Sequence, residues 1–416
     1  MTKPKKSQAK KKTAKGNFKM GYRARSTANT INKIRRAFGD PVAATKSDPN
    51  FVVIPTTNKI PADLSYDLAN ALNPSQIKQI INNGKLVIHS VGDTGDINNL
   101  GITRDLALQM ESQFVNNQVV VDPSFFYHLG DVVYYNGVST DYRDQFYDPY
   151  KFYPGQIFAI PGNHDGQTIV NKGDPPDPEP SLKGFFENFC AAKRVQQQSS
   201  PYRYTQDQPW PYWTLLTPFA TFIGLYSNVE GTLDKWNDNN HPQFNWFIQE
   251  IQKADPHKCL ILAVHHSPFS LDDEHGGYPD ILDAIDQAVA KSGGRYPDIV
   301  LSGHVHNYQR FHRKMNNGTY IHIVAGAGGY ASVKTMHKLQ LNPKTNSKIP
   351  QNTLFQTTLP DVALLNYHDS LPGFLRITID QQSLSGEYFI NDTTTGNQSP
   401  NPFDSFKFDY INKKIL

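Results

Sequence analysis

Cysteine is nearly missing from this 416-residue chain: Cys190 and Cys259 are the only two, and their separation matches no metal-ligand spacing. The pair reads as buried thiols rather than a disulfide framework, and nothing signals an oxidising compartment. No run of eighteen or more apolar residues occurs, which argues against a membrane-spanning helix. The N-terminal stretch lacks the apolar h-region of a secretory signal. The glycine-rich GAGGY at 326–330 lacks the GK[ST] and following helix of a phosphate-cradling P-loop, which excludes triphosphate binding by that device. GAGGY reads instead as a tight loop flanking the functional site.

What is present is unevenly spread. The net charge is +3, yet residues 1–40 hold thirteen Lys or Arg against the single acid Asp40. The remaining chain carries 28 basic and 37 acidic groups, so its body is acidic. The tail 1–40 is too polar to bury a core and is expected to be disordered. It reads as a solubilising extension, with weak nucleic-acid or anionic-surface contact and organelle targeting as the alternatives. Cytoplasm is the default location.

Segment 41–84 reads as a lead-in with a short helix around PSQIKQIINNG. From Lys85 to about residue 390 one pattern repeats: apolar strand, polar loop, helix, strand. KLVIHS, SFFYHL, GQIFAI, KCLILAV and DIVLSG are short continuous apolar runs, the signature of strands buried on both faces. PYWTLLTP and ATFIGLYS look like adjacent antiparallel strands, and TYIHIVA, FLRITID and LSGEYFI like further ones. TRDLALQMESQF, SLKGFFENFCAA, HPQFNWFIQEIQKA and PDILDAIDQAVAKSGG read as helices. Residues 331–370 form an irregular insertion and 391–416 a C-terminal extension. The fold class is α/β, a layered sandwich with its ligand loops at the C-terminal ends of strands.

Those strand ends carry the chemistry. Asp93 sits in GDTG, Asp131 in GDVVY, Asn163 and His164 in GNHD, His266 in HHSP, and His304 and His306 in GHVH, each just after an apolar strand. Carboxylate, amide oxygen and imidazole are the donors that Zn, Fe and Mn accept. The neighbouring glycines let the backbone turn sharply beside an ion. Any one of these fragments alone reads as a loop cap or a turn residue; five in this order do not.

The ordered set GDxG, GDxxY, GNHD, HxP and GHxH resembles the calcineurin-like metallophosphoesterases. GDTG, the tyrosine three residues after Asp131, and GHVHNYQR resemble their purple acid phosphatase branch. The resemblance covers residues 85–390 and implies two metal ions, Fe paired with Zn, Mn or Fe, or a Zn or Mn pair if Tyr134 stays out. It implies that Asp131 bridges them, that Asp93, Tyr134 and His306 complete one site, and that Asn163, His266 and His304 complete the other. His266 fits the HxP spacing and is preferred to its neighbour His265. Tyr134, with Tyr135 adjacent, has ordinary packing as its alternative. His164 and His275 are implied to contact the phosphate and protonate the leaving group, with Asp165 orienting the His164 ring. Arg310 is either a substrate anion contact or a structural salt bridge.

The activity so implied is hydrolysis of a small phosphate ester, a phosphomonoesterase using metal-activated water with the cations about 3.5–4 Å apart. The alternative is a phosphodiesterase on nucleotides, lipids or nucleic acid. A scaffold that lost catalysis would show broken motifs, and all five are intact.

Overall fold

The computed structural model describes residues 59–95, 100–115, 121–167, 179–197, 200, 202–228, 241–330, 336–342, 344–392 and 399–416. The basic tail 1–40 lies outside them. No helix among the described residues is long and apolar enough to cross a membrane.

Two mixed sheets pack face to face. One has nine strands: β1 (Ser65–Asp67), β5 (Trp213–Leu216), β6 (Ala220–Leu225), β7 (Cys259–Val264), β8 (Ile299–Ser302), β10 (Gly318–Ala325), β9 (Tyr308–Met315), β12 (Val362–His368) and β11 (Phe355–Gln356), in that spatial order. The other runs β16 (Lys414–Ile415), β15 (Asp404–Asp409), β14 (Ser383–Ile390), β13 (Gly373–Ile379), β2 (Leu86–Val91), β3 (Phe125–His128) and β4 (Gln156–Ala159). β2, β3 and β4 are mutually parallel, as are β6, β7 and β8.

The largest apolar cluster joins inward residues of both sheets, among them Ile88, Phe125, Tyr127, Phe222, Ile261, Leu301, Ile323 and Ile377. The opposite faces are covered too. Helices α2 (Leu100–Glu111) and α3 (Lys183–Phe189) bury Leu106, Met110, Phe185 and Phe189 against Phe126 and Ile157. Helices α4 (Pro242–Lys253) and α5 (Pro279–Ser292) bury Phe244, Phe247, Ile281 and Ile285 against Leu260, Leu262 and Val300. Both faces of the central strands are therefore dry, which is why LVIHSV and CLILAV read as unbroken apolar runs rather than alternating ones. Helix α1 (Pro74–Asn83) starts at a complete capping box, Asn73 with Gln76, and ends at Gly84 with φ +62°.

Two expectations change. The insertion 331–370 is not wholly irregular: β12 lies inside it and pairs antiparallel with β9 from Val362 to His368, with a bulge between Leu364 and Asn366. The segment 391–416 supplies β15, which extends the seven-stranded sheet beside β14.

Two core histidines, one in β2 and one in β10, tie stability to pH. His89 is wedged among Phe114, Tyr153 and Phe374, and His322 packs on Phe269. Burial pushes each ring down to about 3. The unfolded chain takes up these protons near pH 6.5 and the folded one does not. Stability is thus full above that pH and falls as the pH drops toward 3, by about 2 kcal/mol per ring at pH 5. Urea unfolding at pH 7.5 and pH 5.0 is expected to show this loss, and His322→Phe to remove one share of it. An identical pH gap in wild type and variant would exclude His322 as a source.

Candidate metal centre

Five strand ends converge on one point along the seam between the sheets. β2 delivers Asp93, β3 delivers Asp131 and β4 delivers Asn163, all from the seven-stranded sheet. β7 delivers His265 and His266, and β8 delivers His304 and His306, from the nine-stranded one. Backbone bonds stitch the loops together: Gly92 N–H to Ala325 O at 2.9 Å, Asp93 N–H to Gly130 O at 2.9 Å, and Gly303 N–H to His265 O at 3.1 Å. Asp93, Asp131 and His304 all have left-handed backbones, with φ of +60°, +53° and +66°. A non-glycine residue in that region is uncommon, and three at the ends of three strands mark a constrained site. The glycines leave room for the ligands, since a Cβ on Gly162 would lie 2.1 Å from Asp131 Oδ1.

All the residues singled out at these strand ends are buried. Asp131 Oδ1 accepts the N–H of His164 at 2.9 Å, and its Oδ2 lies 3.1 Å from the Tyr134 hydroxyl and 3.3 Å from His265 Nε2. The same hydroxyl is 3.1 Å from Asp93 Oδ1 and 3.3 Å from His306 Nε2, while Asp93 Oδ2 accepts the His304 N–H at 2.8 Å. Asn163 Oδ1 lies 3.0 Å from His304 Nδ1 and 3.2 Å from His265 Nε2. Asp131, His265 and His304 offer ligand atoms that all lie within 4.8 Å of one another.

His265 joins Asp131 and His304 in that group, and the expected ligand His266 lies beside it, equally buried. The Leu129 carbonyl, 2.8 Å away, can only accept, so His265 Nδ1 carries hydrogen and Nε2 faces Asp131 and Asn163. That is the orientation a ligating histidine needs. His266 is turned onto the Ser227 hydroxyl through Nδ1 at 2.7 Å, and its ring lies 4.4 Å from that of His304. Its buried Nε2 has no hydrogen-bond partner among the described residues.

The charges of the site suit a cation. Burial, with the charge of Asp131 beside it, pushes the Asp93 carboxyl well above the usual range. Burial would also lower His265, but Asp131 and Asp93 raise it to about 9. Burial and both carboxylates push the Tyr134 phenol up, so a phenolate there requires a neighbouring positive charge. Two dry carboxylates, a ring nitrogen without a partner and an amide oxygen facing two imidazoles fit a metal ion.

The other predicted residues fall into place unevenly. His164 rests 4.4 Å from the Tyr134 ring, its Nδ1 2.7 Å from the Tyr135 carbonyl. That carbonyl orients it, in place of the expected Asp165. The Asp165 carboxylate instead accepts from the N–H groups of Gly162, Val132 and Val133 at 2.8, 3.1 and 3.4 Å, binding the GNHD turn to the GDVVY loop. His275 stacks on His304 at 4.5 Å. Arg310 is no anion contact: it forms a two-pronged pair with Asp404 at 2.7 and 2.9 Å. Sequence reading missed Tyr278, whose hydroxyl is 2.7 Å from His304 Nε2, along with Ser227 and His337. No local pattern marks them. Tyr330 of GAGGY stacks on Tyr134 at 4.0 Å and donates its N–H to Asp93 O at 3.0 Å, so that loop does flank the site.

Asp131, His265 and His304, a buried group that could hold a metal ion, thus stand at the strand ends of an α/β sandwich. The chain belongs to the calcineurin-like phosphoesterase family, whose model matches residues 78–308, more than half of its length. Its fold is similar to that of purple acid phosphatase PPD1 from yellow lupin (Lupinus luteus) seeds, at 17% identity and a TM-score of 0.51 over 78% of this chain. The match covers 54% of the lupin protein, so the chain spans about half of that relative's length. GAP50, the anchor in the inner membrane complex of Plasmodium, is similar at 13% identity and a TM-score of 0.50, over 78% of this chain and 89% of that one. At these identities the likeness is one of fold.

Proposed function

We propose that the chain hydrolyses phosphomonoesters at a two-metal centre of the purple acid phosphatase kind. The observation that carries this reading is Tyr134, whose hydroxyl lies within 3.1 Å of both Asp93 and Asp131 and 3.3 Å from His306. Asp93, Tyr134 and His306 would hold one ion and Asn163, His304 and a ring of the His265–His266 pair the other, with Asp131 between them. When bound, such a pair polarises phosphoryl oxygens and acidifies water for in-line attack.

The chain's own groups do the rest. Asp131 offers one oxygen toward Tyr134 and His265 while its other is fixed by the His164 N–H, so its orientation is set before substrate arrives. His164 spends Nδ1–H on the Tyr135 carbonyl, which leaves Nε2 as the atom able to hold a proton for the leaving oxygen. His275, stacked on His304 beside the cluster, is the second proton source. Paired cations of this kind serve phosphodiesters equally well, and the acidic body disfavours long polyanions.

The test is release of a chromogenic alcohol from matched phosphomonoester and phosphodiester substrates in metal-defined buffer. Monoester turnover is expected to dominate. With Fe³⁺ loaded, a visible charge-transfer band is expected that Tyr134→Phe removes. Diester preference would replace the reading with phosphodiesterase, and no turnover from metal-replete protein on either substrate would refute both.

A further inference from the structure

The geometry points to His337 as a positioning residue for this reaction, a pin through which the insertion 331–370 fixes the two histidine loops of the site relative to each other. The inference rests on the phosphoesterase reading above. His337 is fully buried, and its ring lies 4.3 Å from that of His306 and 4.6 Å from that of His275. Its backbone N–H donates to His306 O at 3.2 Å, and the His306 N–H returns a bond to His337 Nδ1 at 3.3 Å. Asn307 Nδ2 closes the link by donating to His337 O at 2.9 Å. Three bonds thus bind one residue of the insertion to the GHVH loop.

The same short strap grips the other loop. Asp272 and Leu339 form an antiparallel bridge, with Asp273 N–H to Lys338 O at 2.9 Å and Gln340 N–H to Leu271 O at 2.8 Å. Asp272 in turn accepts the N–H groups of Glu274, His275 and Gly276, shaping the turn that presents His275 to His304. The strap is anchored from behind by Leu339 N–H to Asp369 at 3.1 Å and by packing of Leu339 with Phe269 and Val305. His304, His275, His337 and His306 therefore form an arc of touching rings in which His337 is the member that comes from outside the two loops. Remove its Nδ1, and the His306 N–H loses its acceptor in a dry place; groups one step behind a ligand typically matter by about 10- to 100-fold.

The experiment compares His337→Leu, which fills the volume without an acceptor, and His337→Asn, whose amide oxygen can replace Nδ1, with the full-length wild type. Zn²⁺ binding to metal-stripped protein is measured by calorimetry, next to kcat and KM on a chromogenic monoester and the urea midpoint. For His337→Leu, Zn²⁺ affinity is expected to fall about 10- to 100-fold, with kcat falling more than KM rises, and His337→Asn is expected to recover most of both. The Zn²⁺ measurement needs no turnover, so a wild type inactive on esters would refute the phosphoesterase reading while the affinity loss still supports the pin. Zn²⁺ affinity and kcat unchanged in His337→Leu, or affinity lost equally in both variants in step with the urea midpoint, would overturn it.

Discussion

Asp131→Asn is expected to lose phosphoester turnover by more than about 100-fold, the upper end for a residue standing one step behind a metal ligand. Asn matches the carboxylate in size and tolerates the left-handed φ of +53° at this position, so the backbone need not move. What changes is chemistry. One oxygen becomes an NH₂ group, so a single oxygen remains, to accept the His164 N–H on one side or to face Tyr134 and His265 on the other, but not both. The negative charge that raises His265 and opposes Asp93 also disappears. Stability should therefore hold or rise while activity goes, the trade expected where a site keeps like charges close in a dry place. Turnover, bound-metal stoichiometry and the urea midpoint of the purified variant decide the matter. Retained turnover with two equivalents of metal would remove Asp131 from the bridging role.

Arg310→Ala is expected to cost about 3–5 kcal/mol of stability with the metal centre intact in the protein that remains folded. Arg310 reaches from β9 in one sheet to Asp404 on β15 in the other, and its guanidinium lies 5.2 Å from the Phe406 ring. Tyr308 adds a hydroxyl to Asp404 at 2.6 Å. Cutting off the arginine leaves a buried carboxylate with neutral donors only. The double change Arg310→Met with Asp404→Leu, which removes both charges, should recover much of the loss. Equal destabilisation by the single and double variants in urea would show that packing, not the stranded charge, sets the cost.

Much of this was legible in the chain. Strands buried on both faces announce themselves as short apolar runs, and the ligands sit where those runs stop, so LVIHSV–GD and IVLS–GHVH located fold and site together. The less visible parts depend on pairing with distant residues. β9 reads YQRFHRKM and hides two arginines whose partners, Asp404 for Arg310 and Asp286 with Asp361 for Arg313, lie far along the chain. β12 is obscured by the polar stretch ahead of it, and β15 by its place in the extension. His265 and His266 are adjacent, so spacing alone cannot say that both rings are buried at the site; the Leu129 carbonyl fixes one and the Ser227 hydroxyl the other, and neither lies near them in sequence.

The seam has a consequence for how the molecule is made. Asp93, Asp131 and Asn163 are made first, whereas His265, His304 and His306 arrive about a hundred residues later, which at ribosomal speed is a delay of roughly 5–20 s. Until then the ligands proposed from the early loops are oxygen donors alone, a set suited to hard ions such as Mg²⁺. The ligating imidazoles that favour a transition metal arrive with β7 and β8. Metal choice would thereby be deferred until β7 and β8 are in place, and an ion held across the seam would fasten the two layers by whatever free energy it gains there.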